Sequence, residues 1–522
     1  MKRILDSIIG TSILAGVMLG LSFPPFNLFL LSILAFYLLI RLADQGHSFR
    51  QVMYITFPAV LIWNIITSYW LTFATIGGGV AAILANSVIM TIPLGMIYLI
   101  RKQKFNKYLI ALLSASAWIT YEFLHYRWDL AWPWLTLGNS YANAIILIQY
   151  VSITGVMGVS FWIVLTASLW HDWDRTESSF AGGIRINIVS VFIILVPIFY
   201  SASKYLLEEQ SPESHIEVVI AQPNYDSYLP NAGYSDISLA LEEIIELSDS
   251  LVTPNTQMVF WPENALIPDV HGKTFQYPSN RLREVAANWN TTLITGATWY
   301  RYYNEDESAE YPRFRSDGSR YNIFNAALSF SPDGTVQSYE KANLVPIVER
   351  FPFYGFFSKI PIPGVDWFRM MGYGRGNQIV NFESDDVKSP ALICYDSVFP
   401  DWVRKSVLDG ADFVAVITND GWWGSTSGHI QHYDFARLRA IETNRSVIRS
   451  ANNGISGMIH ANGEIHSKTA YWERTALRIQ VPVYSNMTIY VRFGDWIGYF
   501  STILVILFIT YLVFIKLSGS KQ

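Results

Sequence analysis

"ALICYDSVFP", Ala391–Pro400, holds the single cysteine of a 522-residue chain that is 51% hydrophobic. One cysteine cannot close an intrachain disulfide, so a framework role is excluded. Two readings of these ten residues stay open: a small buried hydrophobe or a reactive thiol. Ser389-Pro390 reads as a break, and Ala391-Leu392-Ile393 as a short buried strand. Cys394 then stands at the strand's end. Asp396, Ser397 and Pro400 read as the start of a helix that Asp401–Lys405 continues. On such a turn a thiol faces a pocket, backbone N–H groups and the positive end of a helix. The N–H groups and the helix end favour thiolate over thiol.

Around this stretch, from about 214 to 483, short β-rich runs alternate with helical ones. "HIEVVIAQ", "QMVFWPE", "TTLITGAT", "FNAALSFS", "DFVAVITND" and "SVIRSAN" read as buried strands. "SDISLALEEIIELSDSL" and "HYDFARLRAIETN" read as amphipathic helices, and "SPDGT" and "HANGE" as hairpin turns. The pattern is mixed α/β with hairpins.

The flanks have another texture. Aromatics at 15%, charged residues at only 15% and a positive mean hydropathy suit a membrane protein with a large aqueous part. Apolar runs at about 7–22, 26–42, 52–75, 79–100, 108–124, 144–170, 187–203 and 496–515 approach the roughly 20 residues of a membrane span. The expected organisation is a membrane domain of about seven helices over 1–204, an aqueous domain over 205–494, and a closing helix with its tail over 495–522. Met1-Lys2-Arg3 before an apolar run also fits a signal peptide, but the spans directly behind it favour an uncleaved helix. Lys2, Arg3, Arg41, Arg50, Arg101, Lys102, Lys104, Lys107, Arg175, Arg185, Lys516 and Lys521 fall on one side if the helices alternate. That side is cytoplasmic, which puts both termini there and the aqueous domain outside. A net charge of −5 without a long basic run gives no reason to expect nucleic acid as a partner.

Three polar residues stand where strands end. Glu263 follows Trp261-Pro262, where poor solvation raises a carboxylate's pKa and makes it a usable base; a surface glutamate opening a loop is the plainer reading. Lys341 follows the strand Val336–Tyr339, as an oxyanion-stabilising cation or as a solvated hairpin lysine. Glu349 precedes Arg350 and has a simple ion pair as its plain reading. A cysteine nucleophile needs a base and a positive group for its tetrahedral intermediate, and these residues supply both without histidine. His429 and His432 in "HIQH" have a spacing that could hold a metal, but no third ligand cluster lies near, and neither metal nor cofactor is expected. "GYGRG", Gly372–Gly376, does not open a helix and reads as a flexible loop.

The order Glu, Lys, Cys resembles the carbon–nitrogen hydrolase (nitrilase) superfamily. Joined to the apolar runs, it resembles more narrowly the apolipoprotein N-acyltransferase family. "WPENALIP", "EKANLVPIVERFPF", "LICYDSVFPD", "ITNDGWWGST", "HYDFARLRAIETNRSVIRSANNGISGMI" and "VRFGDW" carry that resemblance, with "LSFPPFN" and "WPWLTLGNSYA" in the membrane part. It implies a polytopic α-helical membrane protein of about eight spans bearing an extracytoplasmic αββα sandwich, in a bacterial inner membrane with the catalytic domain facing the periplasm. It makes Glu263 the base, Lys341 the oxyanion stabiliser and Cys394 the nucleophile. Glu349 and the N–H of Tyr395 support them. The implied partners are a phospholipid acyl donor and diacylglyceryl apolipoproteins, with a monomer expected. Asp396 stands where the family has Glu, and Gly421-Trp422-Trp423 where Ala-Trp-Phe is usual. The apolar, Gly/Pro-rich segment 351–374, with Phe356, Phe357 and Trp367, is expected either to pack on the domain or to admit lipid, as are Trp422 and Trp423. A membrane-tethered amidase or nitrilase, and a non-catalytic transporter or scaffold, are the alternatives.

Overall fold

Two units divide the chain: residues 1–209 with 488–522, and residues 210–487. They belong to a computed structural model that describes residues 7–176, 188–208, 211–229, 236–265, 276–361 and 371–519. Lys2, Arg3, Arg185, Lys521 and Trp367 lie outside the described residues.

The first unit is helical: α1 (Ile8–Ser22), α2 (Leu31–Gln45), α3 (Phe49–Ser68), α4 (Ile76–Arg101), α5 (Lys107–His125), α6 (Val156–Thr176), α7 (Ile188–Leu207) and the closing helix Trp496–Gly519. Among the described residues, α3, α4, Ser190–Leu207 of α7 and Trp496–Ser518 of the closing helix are long and apolar enough to cross a membrane. The 26 residues of α4 extend about 39 Å, more than a hydrocarbon core of roughly 30 Å.

The apolar run at 144–170 is not one helix. Residues 133–147 form 3₁₀ turns and Val151–Thr154 a single helical turn before α6 begins at Val156. Gly155, at φ 65°, ends that turn. Glu122 of α5 anchors the irregular stretch: its Oε1 accepts Leu137 N–H and Trp118 Nε1–H, both at 2.8 Å. Irregular backbone inside a membrane protein needs such internal partners. The run at 52–75 is likewise α3 followed by a separate turn, Leu71–Ala74.

The second unit is a sandwich. Its first sheet contains β1 (Ser214–Gln222), β2 (Thr256–Phe260), β3 (Thr292–Tyr303), β4 (Arg320–Phe330) and β5 (Val336–Glu340), with α8 (Ile237–Asp249) and α9 (Gln276–Trp289) between strands. Its second sheet contains β6 (Ala391–Ile393), β7 (Val414–Thr418), β8 (Val447–Ala451), β9 (Gly457–Ile459) and β10 (Ile465–Lys468), with α10 (Pro400–Leu408) and α11 (Ser427–Thr443). Strand β11 (Thr475–Val483) returns to the first sheet and pairs antiparallel with β1. β1, β2 and β3 run parallel, as do β6, β7 and β8.

Helices α8 and α9 cover the outside of the first sheet, placing Leu241, Ile244, Leu282 and Val285 against Val219, Val259 and Leu293. Each such side chain contributes about 1.5–3 kcal/mol when fully buried. Trp261, directly after β2, lies inside this core, its indole N–H donating to Ser248 Oγ at 2.9 Å. The sheets meet face to face: Ser450 Oγ donates to the carbonyls of Ala221 (2.9 Å) and Phe260 (3.0 Å). The result is the αββα layering of a nitrilase-like fold. The parallel strands β2, β6 and β7 end at one edge, the usual place for a site in α/β sheets.

Candidate active site

Glu263 leaves β2 through Trp261-Pro262 and is buried. A Cβ on Gly296 of β3 would come within 2.5 Å of Glu263 Cα, so only glycine lets this turn lie against the neighbouring strand. Glu263 Oε1 accepts Asn325 Nδ2–H (2.7 Å) and Lys341 Nζ–H (3.2 Å), and Oε2 accepts the Asn419 backbone N–H (3.0 Å). Burial raises its pKa and Glu349 adds to the rise; Lys341 and the two hydrogen bonds oppose it, and the balance is upward.

Lys341 is 1% exposed. The antiparallel pairing of β4 and β5 sets it beside Asn325, whose carbonyl accepts its backbone N–H at 2.9 Å. Its Nζ also donates to Glu349 Oε1 at 2.8 Å. Burial works against the ammonium, but Glu263, Glu349, Cys394 and Asp396 outweigh it and raise the pKa further. Among the described residues, the third N–H of the ammonium has no acceptor.

Glu349 Oε2 accepts Val345 N–H (2.8 Å) and Oε1 accepts Asn325 Nδ2–H (3.1 Å). "GYGRG" does not behave as a flexible loop. Tyr373 N–H donates to Glu349 O (2.8 Å), Gly374 N–H to Ile323 O (2.7 Å) and Gly376 N–H to Lys341 O (2.9 Å). A Cβ at Gly376 would collide with the Glu340 carbonyl. The glycines let a backbone strap press on the segment that carries both Lys341 and Glu349.

Cys394 is buried with a left-handed φ of 47°, uncommon for a non-glycine residue. The expected bias toward thiolate is overturned. Burial raises the thiol's pKa well above its ordinary value; Glu263 and Asp420 add to the rise, and Lys341 and a Thr418 hydrogen bond only offset it. Cys394 opens a five-residue 3₁₀ turn, Cys394–Val398, and α10 starts at Pro400. The thiol is neutral at rest and needs a base during attack.

Asp396, shorter than the residue the resemblance calls for, is fully buried. It accepts Tyr339 Oη–H (2.7 Å), Asn343 N–H (2.8 Å) and Asn343 Nδ2–H (2.9 Å), tying the cysteine turn to the lysine loop. Burial pushes its pKa up to about 6.

Residues 218–485, just over half of the chain, match the family described as Carbon-nitrogen hydrolase. The chain belongs to the carbon-nitrogen hydrolase family. Residues 15–169 match a second family, described as Apolipoprotein N-acyltransferase N-terminal domain. The resemblance read from the motifs is thereby borne out along both units. Similar proteins include the apolipoprotein N-acyltransferases of Chlorobaculum tepidum (29% identical over 519 residues, 95% of this chain and 94% of that one) and Geobacter metallireducens (26% over 504 residues, 93% and 91%). That of Thermotoga maritima is 26% identical over 517 residues, 95% of this chain and 92% of its own.

In this carbon-nitrogen hydrolase, residues other than Glu263, Lys341 and Cys394 hold the cysteine turn. His432 Nδ1 lies 2.9 Å from Asp420 Oδ1, while Nε2 lies 3.0 Å from Ser397 Oγ and 3.2 Å from the Cys394 carbonyl oxygen. Asp420 also accepts Thr418 Oγ1–H (2.6 Å) and Arg449 (3.2 Å). Burial favours the neutral acid, but His432, Arg449 and Thr418 outweigh it and hold Asp420 down at about 2. Atoms of Cys394, Asp420 and His432 lie within 4.8 Å of one another, a spacing that could suit a metal. The guanidinium of Arg449 on the same carboxylate opposes a second cation there. His429 turns elsewhere and stacks on Tyr471 at 3.9 Å.

Tyr395 is buried, its ring edge-on to Phe399 at 5.1 Å. Trp423 packs its ring on His432 at 5.6 Å, whereas Trp422 is 41% exposed and meets Tyr228 edge-on at 5.9 Å. Phe356, in the single turn Tyr354–Phe357, is 66% exposed; Phe357 contacts Phe351 and Phe356. Asn325, Asn419 and Asp420 were not singled out as site residues from sequence. "ITND" at the end of a strand was the available signal for the last two.

Proposed function

We propose that the chain transfers a fatty acyl chain from a membrane phospholipid to the N-terminal amine of diacylglyceryl apolipoproteins, through a thioester on Cys394. The observation that carries this reading is the buried ammonium of Lys341, shared by Glu263 and Glu349 and acting on the Cys394 thiol, in a chain whose N-terminal part matches the N-acyltransferase family. Glu263 takes the thiol proton as sulfur attacks the ester carbonyl. Lys341 and the N–H of Tyr395 receive the oxyanion. Collapse breaks the ester C–O bond, and Glu263 returns the proton to the departing lysophospholipid. The acceptor's amine then attacks the thioester and gives its proton to Glu263. Cys394 leaves as thiolate and is reprotonated.

Phe356, Phe357 and Trp367, with Trp422 and Trp423, form the lipid-access side, a reading supported by the exposed aromatic surface at Phe356 and Trp422. The chain works as a monomer with about eight spans in a bacterial inner membrane. Residues 1–204 form the membrane domain, 205–494 the periplasmic catalytic domain and 495–522 the closing span, with both termini cytoplasmic. A cysteine at the exposed Ser308, in a Cys394→Ala background, should react with an impermeant maleimide added outside intact inner membrane. Labelling only after lysis would reverse the orientation.

Labelled phospholipid supplied together with a diacylglyceryl lipopeptide tests the function. The account requires label on the peptide amine and one lysophospholipid per transfer. Label released only as free fatty acid would mean that water is the acceptor and that the chain is a hydrolase.

A further inference from the structure

Tyr373 stands beside the candidate active site, and the chemistry above does not use its side chain. Its backbone is pinned on both sides: its own N–H donates to Glu349 O at 2.8 Å, and that of Gly374 to Ile323 O at 2.7 Å. The phenol hydrogen-bonds to the side chain of Thr298 in β3. Thr298 fixes where that hydroxyl lies. It is two residues from Gly296, so its side chain leaves the face of β3 on which the Glu263 turn rests. It also stands directly opposite Asn325 in the β3–β4 pairing, and opposed residues share a face. The Asn325 amide is the one that donates to both Glu263 and Glu349. Ala297 and Trp299 turn the other way, into the core under α8 and α9.

Thr298 and Tyr373 are both half-buried, whereas Glu263 and Lys341 are buried. The two hydroxyls therefore belong to the accessible margin of the site. Burial raises the phenol's pKa, Glu349 and Glu263 add to the rise, and Thr298 and Lys341 offset it, so the group stays a neutral hydroxyl. One hydrogen joins the pair, and oxygen lone pairs remain to accept from a ligand. Two carboxylates against one ammonium give this margin a negative balance. Of the groups that acyl transfer brings here, the ester carbonyl becomes an oxyanion and needs donors, which Lys341 and the Tyr395 N–H supply. The acceptor's N-terminus arrives mostly as an ammonium and needs acceptors.

We propose that the Tyr373 and Thr298 hydroxyls receive the α-ammonium of the lipoprotein acceptor and hold it for Glu263, which takes its proton. The assignment rests on the acyl-transfer reading above. A phospholipid headgroup is the other source of an ammonium, and the donor chosen for the test excludes it.

The test separates the two half-reactions of the full chain, with phosphatidylglycerol as donor and a diacylglyceryl lipopeptide without lysine as acceptor, so that the α-amine is the only ligand ammonium. Tyr373→Phe keeps the ring and removes the hydroxyl. Acyl-enzyme formation, measured without acceptor, should be unchanged. When preformed acyl-enzyme is mixed with the lipopeptide, the half-saturating lipopeptide concentration should rise about tenfold, the effect of one hydrogen bond to a charged group. Thr298→Val should give a smaller rise, and Thr298→Ser should restore the original value. Inhibition by an N-acetylated lipopeptide, which has no ammonium, should be the same in Tyr373→Phe as in the unaltered chain. An unchanged half-saturating concentration, a matching loss of inhibition by the N-acetylated peptide, or slowed acyl-enzyme formation in Tyr373→Phe would overturn the site alone. An unaltered chain that forms no acyl-enzyme would overturn the acyl-transfer reading, and this site with it.

Discussion

Arg101 in the membrane unit and Lys341 in the catalytic unit are both buried cations held between two carboxylates. Arg101 meets Asp44 at 2.8 and 3.1 Å, Asp172 at 2.5 and 3.5 Å, and Ser168 at 3.3 Å. Those contacts occupy all five N–H donors of a guanidinium. They join α2, α4 and α6, and nothing is left over for a reaction. The ammonium of Lys341 gives two N–H groups to Glu263 and Glu349, and among the described residues its third has no acceptor. One carboxylate partner, Glu263, sits beside a thiol whose pKa it raises. A saturated cluster holds helices together; a cluster one bond short of saturation can receive a developing negative charge.

The contrast breaks most sharply at the two cations. Lys341→Met should slow acyl-enzyme formation on the order of 10²–10³-fold, the usual loss for an oxyanion donor. Arg101→Met should instead cost stability, on the order of 1–3 kcal/mol, by removing the cation shared by two part-buried carboxylates, seen as a lower thermal midpoint with turnover per folded molecule preserved. A turnover defect in Arg101→Met at unchanged stability would erase the distinction.

A smaller loss is expected at His432, which touches the cysteine turn rather than substrate. His432→Ala should slow acylation about tenfold to a hundredfold by letting the turn shift, with phospholipid retention unchanged, and His432→Gln should restore part of the rate. Equal loss of lipid retention and acylation would mean general disruption.

The pH profile sharpens the role of Glu263. It accepts a proton only when ionised, and its pKa is raised, chiefly by burial. Acylation should therefore fail, as pH drops, at a value above the ordinary glutamate pKa of about 4.3. Glu349→Gln removes a neighbouring negative charge that contributes to the rise, so this acid limb should move to lower pH. On the alkaline side the rate should plateau. A rate that climbs steadily through alkaline pH would mean a preformed thiolate reacts without Glu263.

The mildest effect belongs to the exposed aromatics. Replacing Phe356 and Phe357 with serine should reduce use of bilayer phospholipid several-fold and leave a short soluble ester largely unaffected. Equal loss with both donors would mean that the segment only supports folding.

Much of the candidate site was legible because its members follow short strands. Glu263 after "QMVFW", Lys341 after "VQSY" and Cys394 after "ALI" stand at strand ends that short-run patterning exposes. Asn325 was hidden because it lies inside β4, where one polar residue among apolar ones carries no pattern. The strap at Gly372–Gly376 was misread because glycine permits both looseness and close approach, and only the contacts with Glu349 and Lys341 decide between them. The thiolate expectation failed because the sequence marks a turn without showing how deeply the thiol on it is buried. In the membrane unit, apolarity at 144–170 hid an irregular stretch, Ile145–Thr154, ahead of the helix that begins at Val156. Arg101, read from sequence as a basic flank, is instead neutralised by ion pairs.

Intact-mass analysis of the purified protein with phospholipid and no acceptor tests the central claim most directly. The account requires one added acyl chain, removable by hydroxylamine, located on Cys394 and absent in Cys394→Ala. An acyl chain on any other residue, or full transfer by Cys394→Ala, would contradict it.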